Sequence, residues 1–199
     1  PPRSVSIGEP VLEVMNWNVY HPLHSDRHII RDVSLNVRAG EVVGIAGLMG
    51  AGRTEFAMSL FGRSWGQKIS GQVFMHGKPV DVSTIPKATK AGLAYVTEDR
   101  KTYGLVLIDH IKHNTTLANL PGVSSRGVVD EMQELKVANK YRRDLRIRSS
   151  GVFQTTMNLS GGNQQKVVFA KWLFSGPEVL ILDEPTRGID VGAKYEIYG

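Results

Sequence analysis

The amino-acid sequence predicts an α/β fold, and three observations carry that expectation. Residues 41–47, EVVGIAG, are a short apolar run ended by glycine, and residues 53–62 after them have helical spacing. Residues 178–183, EVLILD, are a second and more hydrophobic run. Residues 11–20 and 28–38 alternate apolar with polar side chains. Alternation marks half-buried strands, short continuous apolar runs mark buried ones, and a period near 3.6 marks a helix.

The elements follow in chain order. The alternating segments VLEVMNWNVY and HIIRDVSLNVR are expected as strands joined by a turn at HPLHSD. Residues 41–47 are expected as a buried strand. In RTEFAMSLFG, Phe56, Leu60 and Phe61 share one helical face and Gly62 is the stop. Residues 71–80 suggest a hairpin turning at His76-Gly77-Lys78, and residues 92–96 a further short strand. From about 110 to 153 the chain is expected to be mostly helical, broken at Pro121-Gly122 and at 124–127. GGNQQKVVFAKWLF is a helix entered through two glycines, and EVLILD is the last buried strand. The layout is a mixed sheet, a helical insert and a return to a buried strand, with no internal repeat.

Composition bounds the function. The chain has 199 residues, 41% hydrophobic and 22% charged, which suits one globular domain with a real core. No apolar run approaches the ~20 residues of a membrane span. There is no cysteine, so disulfides and thiolate metal sites are excluded. The net charge is +5, with much of the excess in KYRRDLRIR at 140–148. Tyr141 is the single aromatic residue in that run, too few for a stacking platform, so the run is expected as a solvated face and no nucleic-acid partner is expected. Residues 1–10 read as a linker or chain boundary.

Three motifs carry chemistry. GLMGAGRT, Gly47 to Thr54, follows the phosphate-loop pattern G-x-x-x-x-G-K-[ST] except that Arg53 replaces the lysine. Backbone N–H groups around Gly47, Gly50, Ala51 and Gly52 can curl about phosphates, with the helix dipole behind them. The hydroxyl of Thr54 suits Mg²⁺. Arg53 keeps the charge but is planar and forked where lysine is a compact point. In EVLILDEPTRGID the strand delivers Asp183, a candidate ligand for Mg²⁺ through a water, and Glu184, a candidate for polarising an attacking water. In NLSGGNQQK, Ser160, Gly161 and Gly162 open a helix with exposed N–H groups, a second anion-receptive terminus. One nucleotide does not need both termini from one chain, so the second is expected to face another subunit's nucleotide. His110 and His113 are spaced i,i+3 with no third ligand in view, and a surface pair is expected. Trp65 and Trp172 are expected to pack.

Together these motifs resemble the ATP-binding cassette family over nearly the whole chain. LSGGN looks like the family signature LSGGQ, with Asn163 in the glutamine position. DEPTRGID looks like the Walker B glutamate and D-loop, which makes Asp190 the D-loop aspartate. YVTEDR falls at the Q-loop, with Glu98 in the position of the glutamine that contacts Mg²⁺. Tyr20 is the first candidate for stacking on adenine and Trp17 the second. The expected architecture is therefore a P-loop cassette at 11–199. It has a RecA-like core, an antiparallel β subdomain and a helical subdomain at about 103–177.

The departures narrow the resemblance to the second cassette of tandem ATPases that energise bacterial uptake of ribose, galactose, xylose and related monosaccharides. What this implies is ATP and Mg²⁺ as ligands and a sister cassette on the same polypeptide. It also implies membrane permease subunits, an indirect periplasmic sugar-binding protein, and a peripheral location on the cytoplasmic face of the inner membrane. The family's switch histidine lies further downstream than YEIYG, so the chain is expected to be incomplete at its C-terminus and inactive alone. Arg53 and Glu98 suggest a slow site here, while Ser160 to Gly162 would complete the sister's site. The alternatives are a nucleotide-sensing module that never hydrolyses, and a soluble cassette ATPase acting on ribosomes or DNA.

Overall fold

The computed structural model describes residues 6–189 and divides them into two compact units. The first comprises residues 6–95 with 177–183, and the second residues 96–176 with 184–189. Asp190, the D-loop candidate, lies outside the described residues.

In the first unit, β1 (Pro10–Tyr20) pairs antiparallel with β2 (His28–Arg38) and with β3 (Gln67–Met75), and β3 pairs with β4 (Lys78–Pro79), giving the order β2-β1-β3-β4. This is the expected antiparallel sheet, and the hairpin turns at His76-Gly77 as the sequence suggests. The inward set of β1 is Leu12 and Val14, then Trp17 and Val19. That sequence changes parity, which a regular strand cannot do without turning one pair to solvent. A bulge makes the change. Met15 pairs with Gln72 and Asn18 with Ser70, so Asn16 and Trp17 together oppose Gly71. Asn16 takes φ +52° and is held by its side chain on Asp32 Oδ1 at 2.6 Å and by Ser34 Oγ accepting its N–H at 2.9 Å.

Gly71 makes the bulge possible. Its φ is +119°, and a Cβ there would stand 2.8 Å from the carbonyl oxygens of Met15 and Asn16 and from Trp17 Cα. All three are backbone atoms and cannot rotate away. Gly71→Ala is expected to destabilise the protein by about 1–3 kcal/mol. Urea unfolding checks this, and a change within ±0.5 kcal/mol would mean that the bulge is not a fixed feature.

The helix α1 (Arg53–Leu60) forms as expected, with Phe56, Leu60 and Phe61 buried. The strand expected at 41–47 does not. That segment takes no regular secondary structure, and Val42, Val43 and Ile45 are exposed. An apolar run records a demand for burial; a strand also needs a neighbour with a free edge. Among the described residues β5 (Leu93–Val96) and β8 (Val179–Leu182) pair with each other in a two-stranded sheet. The expectation of a fully buried last strand is corrected as well: Val179 is buried but Leu182 is exposed. Helix α2 (Ile85–Lys90) precedes β5, capped by Thr84, whose hydroxyl accepts from Lys87 N at 3.4 Å.

The second unit is helical. A π-turn at Arg100–Gly104 leads to α3 (Ile111–Thr116), a 3₁₀ segment Leu117–Val123, the small hairpin β6 (Ser124–Ser125) and β7 (Val128–Val129), α4 (Glu131–Asp144) and α5 (Gly161–Phe174). The breaks predicted at 121–122 and 124–127 are this 3₁₀ segment and hairpin. Residues 146–153 are not helical, contrary to expectation: Leu145 ends α4 and Arg142 holds the following chain, donating to Ser149 Oγ at 2.7 Å and to the Ser149 carbonyl at 2.5 Å. Lys140 and Arg143 of the basic run are exposed and pair with Asp144, the solvated arrangement anticipated. Ile111, Val123, Ala138, Val167 and Val168 form the core. No helix of the described residues is long and apolar enough to cross a membrane.

Candidate functional site

In the first unit, the loop before α1 is built as a backbone cradle. Gly50 has φ +79° and Gly52 +89°, both left-handed, and Ala51 N–H donates to Leu48 O at 3.1 Å. Gly52 is the N-cap of α1, and no side chain caps the helix. The first N–H groups of a helix have no intrahelical acceptor. Left-handed turns that gather such N–H groups make an anion-binding concavity, and the dipole adds to it. A side chain at 52 would also meet Ile30 Cδ1 at 2.9 Å, so glycine serves both backbone and packing there. Arg53 and Thr54 open the helix, half-buried. Gly47, Gly50 and Ala51 are exposed around it.

Asp183 follows β8 directly and is 7% exposed. One of its oxygens, Oδ2, accepts from the Tyr95 hydroxyl at 2.9 Å. The phenol at the end of β5 orients the carboxylate and leaves the other oxygen for a ligand. Thr54 and Asp183 offer a hydroxyl and a carboxylate, hard oxygen donors of the kind Mg²⁺ takes. Tyr20 ends β1 half-buried and stacks on His28, with ring centroids 4.3 Å apart and planes within 5°. Trp17, the second adenine candidate, is excluded: it is 1% exposed and its Nε1 donates to Ser59 Oγ at 3.0 Å inside the core.

In the second unit, Ser160 is the N-cap of α5. Its Oγ accepts from Asn163 N at 3.4 Å and from Asn163 Nδ2 at 2.9 Å. Asn163 Oδ1 accepts from Arg148 N at 2.8 Å, so this asparagine ties the helix start to the preceding loop. Ser160 is exposed, Gly161 half-buried and Gly162 buried. Glu184 is exposed, with φ +40°, in a turn closed by Arg187 N–H on the Glu184 carbonyl at 3.0 Å. Glu98 pairs with the Arg187 guanidinium, a partner that nothing in the local sequence announced. Sequence reasoning also missed Tyr95 and Arg100. The only hint was that both fall inside the YVTEDR stretch.

His110 and His113 gain a third group. Asp109 Oδ1 lies 2.8 Å from His113 Nδ1, and the three side chains offer ligand atoms within 4.8 Å of one another. The same oxygen accepts from His110 N at 2.7 Å, just before a six-residue helix whose N-cap, His110, makes no side-chain cap hydrogen bond.

A family model described as ABC transporter matches residues 30–187. The chain belongs to the ABC transporter family. It is 57% identical over 198 residues to the L-arabinose transport ATP-binding protein AraG of Geobacillus stearothermophilus, covering 100% of this chain and 39% of that protein. To the xylose import ATP-binding protein XylG of Thermoanaerobacter pseudethanolicus it is 50% identical over 191 residues, covering 96% and 38%. The chain thus spans about two fifths of the length of these curated relatives. A solved nucleotide-free ATP-binding cassette from an ABC transporter superposes with TM-score 0.77 at 18% identity, covering 96% of this chain and 75% of that one. The shared fold is that of the α/β ABC cassette with a RecA-like core and helical subdomain.

Proposed function

We propose that this chain is a nucleotide-binding cassette of a tandem ATPase that powers import of a monosaccharide through membrane permease subunits at the cytoplasmic face. The observation that carries the reading is the uncapped start of α1 behind left-handed Gly50 and Gly52, which fits the phosphates of ATP. The relatives named for arabinose and xylose transport support the sugar class. Bound Mg-ATP supplies the phosphoryl group whose transfer to water drives the transporter. The N–H groups of residues 50–54 and the Arg53 guanidinium hold phosphate oxygens, Thr54 and Asp183 hold Mg²⁺, and Tyr20 presents its ring to the base. Glu184 orients water and takes up its proton. Asp190 is proposed to act at the D-loop.

Arg53 and Glu98 make this site the slower of two, and Ser160, Gly161 and Gly162 complete the nucleotide site of a sister cassette. A periplasmic sugar-binding protein acts upstream. Glu98, the candidate in the glutamine position, is ion-paired with Arg187. The same pairing favours a second reading, a cassette that holds ATP without hydrolysing it.

Thermal melts test the binding step. A ligand bound only to the folded state stabilises it by RT ln(1 + [L]/Kd), about 2.7 kcal/mol at a hundredfold excess over Kd. Millimolar MgATP is expected to raise the Tm by several degrees, and Arg53→Ala to remove most of that rise. No shift at any millimolar concentration would overturn the nucleotide reading.

A further inference from the structure

The side chain of Arg100 bridges three segments far apart in sequence. Its backbone is fixed first. Asp99 caps the π-turn, its Oδ1 accepting from Lys101 N at 3.1 Å and Thr102 N at 3.0 Å, and Asp99 N–H donates to Thr97 Oγ1 at 3.1 Å. The guanidinium then reaches out as a fork. Nε donates to Gln164 Oε1 at 3.3 Å, and Nη1 donates to the Arg187 carbonyl at 3.2 Å. Nη2 lies 2.6 Å from where a Cβ on Gly161 would stand.

Each acceptor is itself held. Gln164 is 4% exposed, and its Nε2 donates to Thr156 O at 3.1 Å, which aims Oε1 at Arg100. Arg187 closes the turn that begins at Glu184, and its side chain pairs with Glu98 two residues before Arg100. Residues 98–100 and 184–187 are therefore tied twice, once in each direction. The first turn of α5 is joined to both through Gln164 and through the space left at Gly161. That space gives glycine at 161 a reason apart from backbone freedom: the guanidinium occupies the place of its side chain.

We infer that Arg100 is a positioning residue that locks the start of α5, with Ser160–Gly162, to the turn that carries Glu184. The inference rests on the reading of those residues as phosphate-docking and water-orienting groups. A guanidinium suits the task because its donors lie in one rigid plane and serve two acceptors together, whereas an ammonium is a single point. With the lock gone, α5 and the Glu184 turn each keep their own hydrogen bonds but lose their mutual register. A misplacement of about 1 Å costs turnover on the order of a hundredfold. The phosphate contacts proposed for residues 47–54 use other side chains and backbone groups, so KM for ATP is expected to change little.

The test uses the full-length ATPase assembled with its permease in lipid vesicles, carrying Arg100→Ala, Arg100→Lys, Gln164→Ala or the Ala pair. Arg100→Ala is expected to lower the ATPase kcat by about 10- to 100-fold, with KM for ATP within about threefold of wild type. Arg100→Lys should not rescue it. The Arg100→Ala/Gln164→Ala pair should lose no more kcat than Arg100→Ala alone, because Gln164 acts through the guanidinium. Wild-type kcat in Arg100→Ala, full rescue by lysine, or additive losses in the pair would overturn the proposal. The MgATP-induced rise in Tm, measured on the same proteins, separates the two readings. A rise in wild type and in Arg100→Ala with kcat unchanged sinks this inference alone. No rise in wild type sinks the nucleotide reading beneath it.

Discussion

Ser160→Arg in the full transporter is expected to cut sugar-stimulated ATPase by about 10²–10³-fold, the range for loss of preorganised transition-state electrostatics. Ser160 Oγ is the acceptor that Asn163 N and Nδ2 both use, so the change removes the cap of α5. Cap loss by itself costs about 1 kcal/mol. The larger effect expected under the proposed function is the bulky guanidinium placed where the γ-phosphate of a sister cassette's nucleotide would dock. Glu184→Gln should cost far less than the same change in the sister cassette, because this chain's own site carries Arg53 in place of lysine. Arg53→Ala should fall between the two, weakening binding without touching the faster site. Transport and ATPase rates in reconstituted membranes decide it. If Glu184→Gln proves as damaging as Ser160→Arg, both sites hydrolyse, and Arg53 and Glu98 are not marks of a slow one.

Glu134→Ala is expected to destabilise the second unit by about 3–5 kcal/mol. Lys112 Nζ lies 2.8 Å from Glu134 Oε2, with the two side chains only 6% and 5% exposed. Thr116 donates to the other oxygen, Oε1, at 2.7 Å. Removing the carboxylate leaves an ammonium buried without its counter-charge, which costs more than the pair contributes. Lys112→Met/Glu134→Leu should therefore be close to neutral, since neither charge is then left alone.

The pair also sets an acid dependence. Burial pushes the Glu134 carboxyl up, but the hydrogen bonds from Lys112 and Thr116 and the nearby positive charges of Lys112 and His113 outweigh it, leaving its pKa below the ordinary value of 4.5. The stabilisation is thus complete above about pH 4.5 and is lost as pH falls through the lower folded value. Neighbouring Asp109, also below its ordinary value, adds a loss in the same direction. Urea unfolding between pH 3 and 7 checks both statements. A single substitution costing under about 1 kcal/mol would show that Lys112 finds water instead.

How far the sequence was legible depended on the range of the signal. Alternation located β1 and β2, and the glycine-punctuated helical spacing located α1 and α5, because those patterns are written within ten residues. Ser160 as a cap was legible for the same reason. The bulge at Asn16 was not, because the residue that permits it, Gly71, lies on another strand. Trp17 looked available for stacking until the bulge turned it inward. The run at 41–47 announced a demand for burial but not a partner. Within the candidate site, Tyr95 and Asp183 are 88 positions apart and Arg100 and Gln164 are 64 apart. No local period connects such pairs. The glycine turn ahead of α1 and the place of Asp183 just after β8 were readable because each is written in neighbours in the chain.

Glu184 stands on backbone that favours glycine or asparagine, with φ +40°. A residue of its kind gains nothing in stability from that conformation; holding a non-glycine side chain there costs on the order of 1 kcal/mol. Under the water-orienting role proposed for Glu184, stability and turnover pull this position in opposite directions. Directed evolution that selected only for heat resistance would drift Glu184 toward glycine or asparagine and return tougher proteins with no water-orienting carboxylate. Selection that counted turnover would hold glutamate in place against that drift. Thermostabilising libraries of this cassette are best built with position 184 fixed.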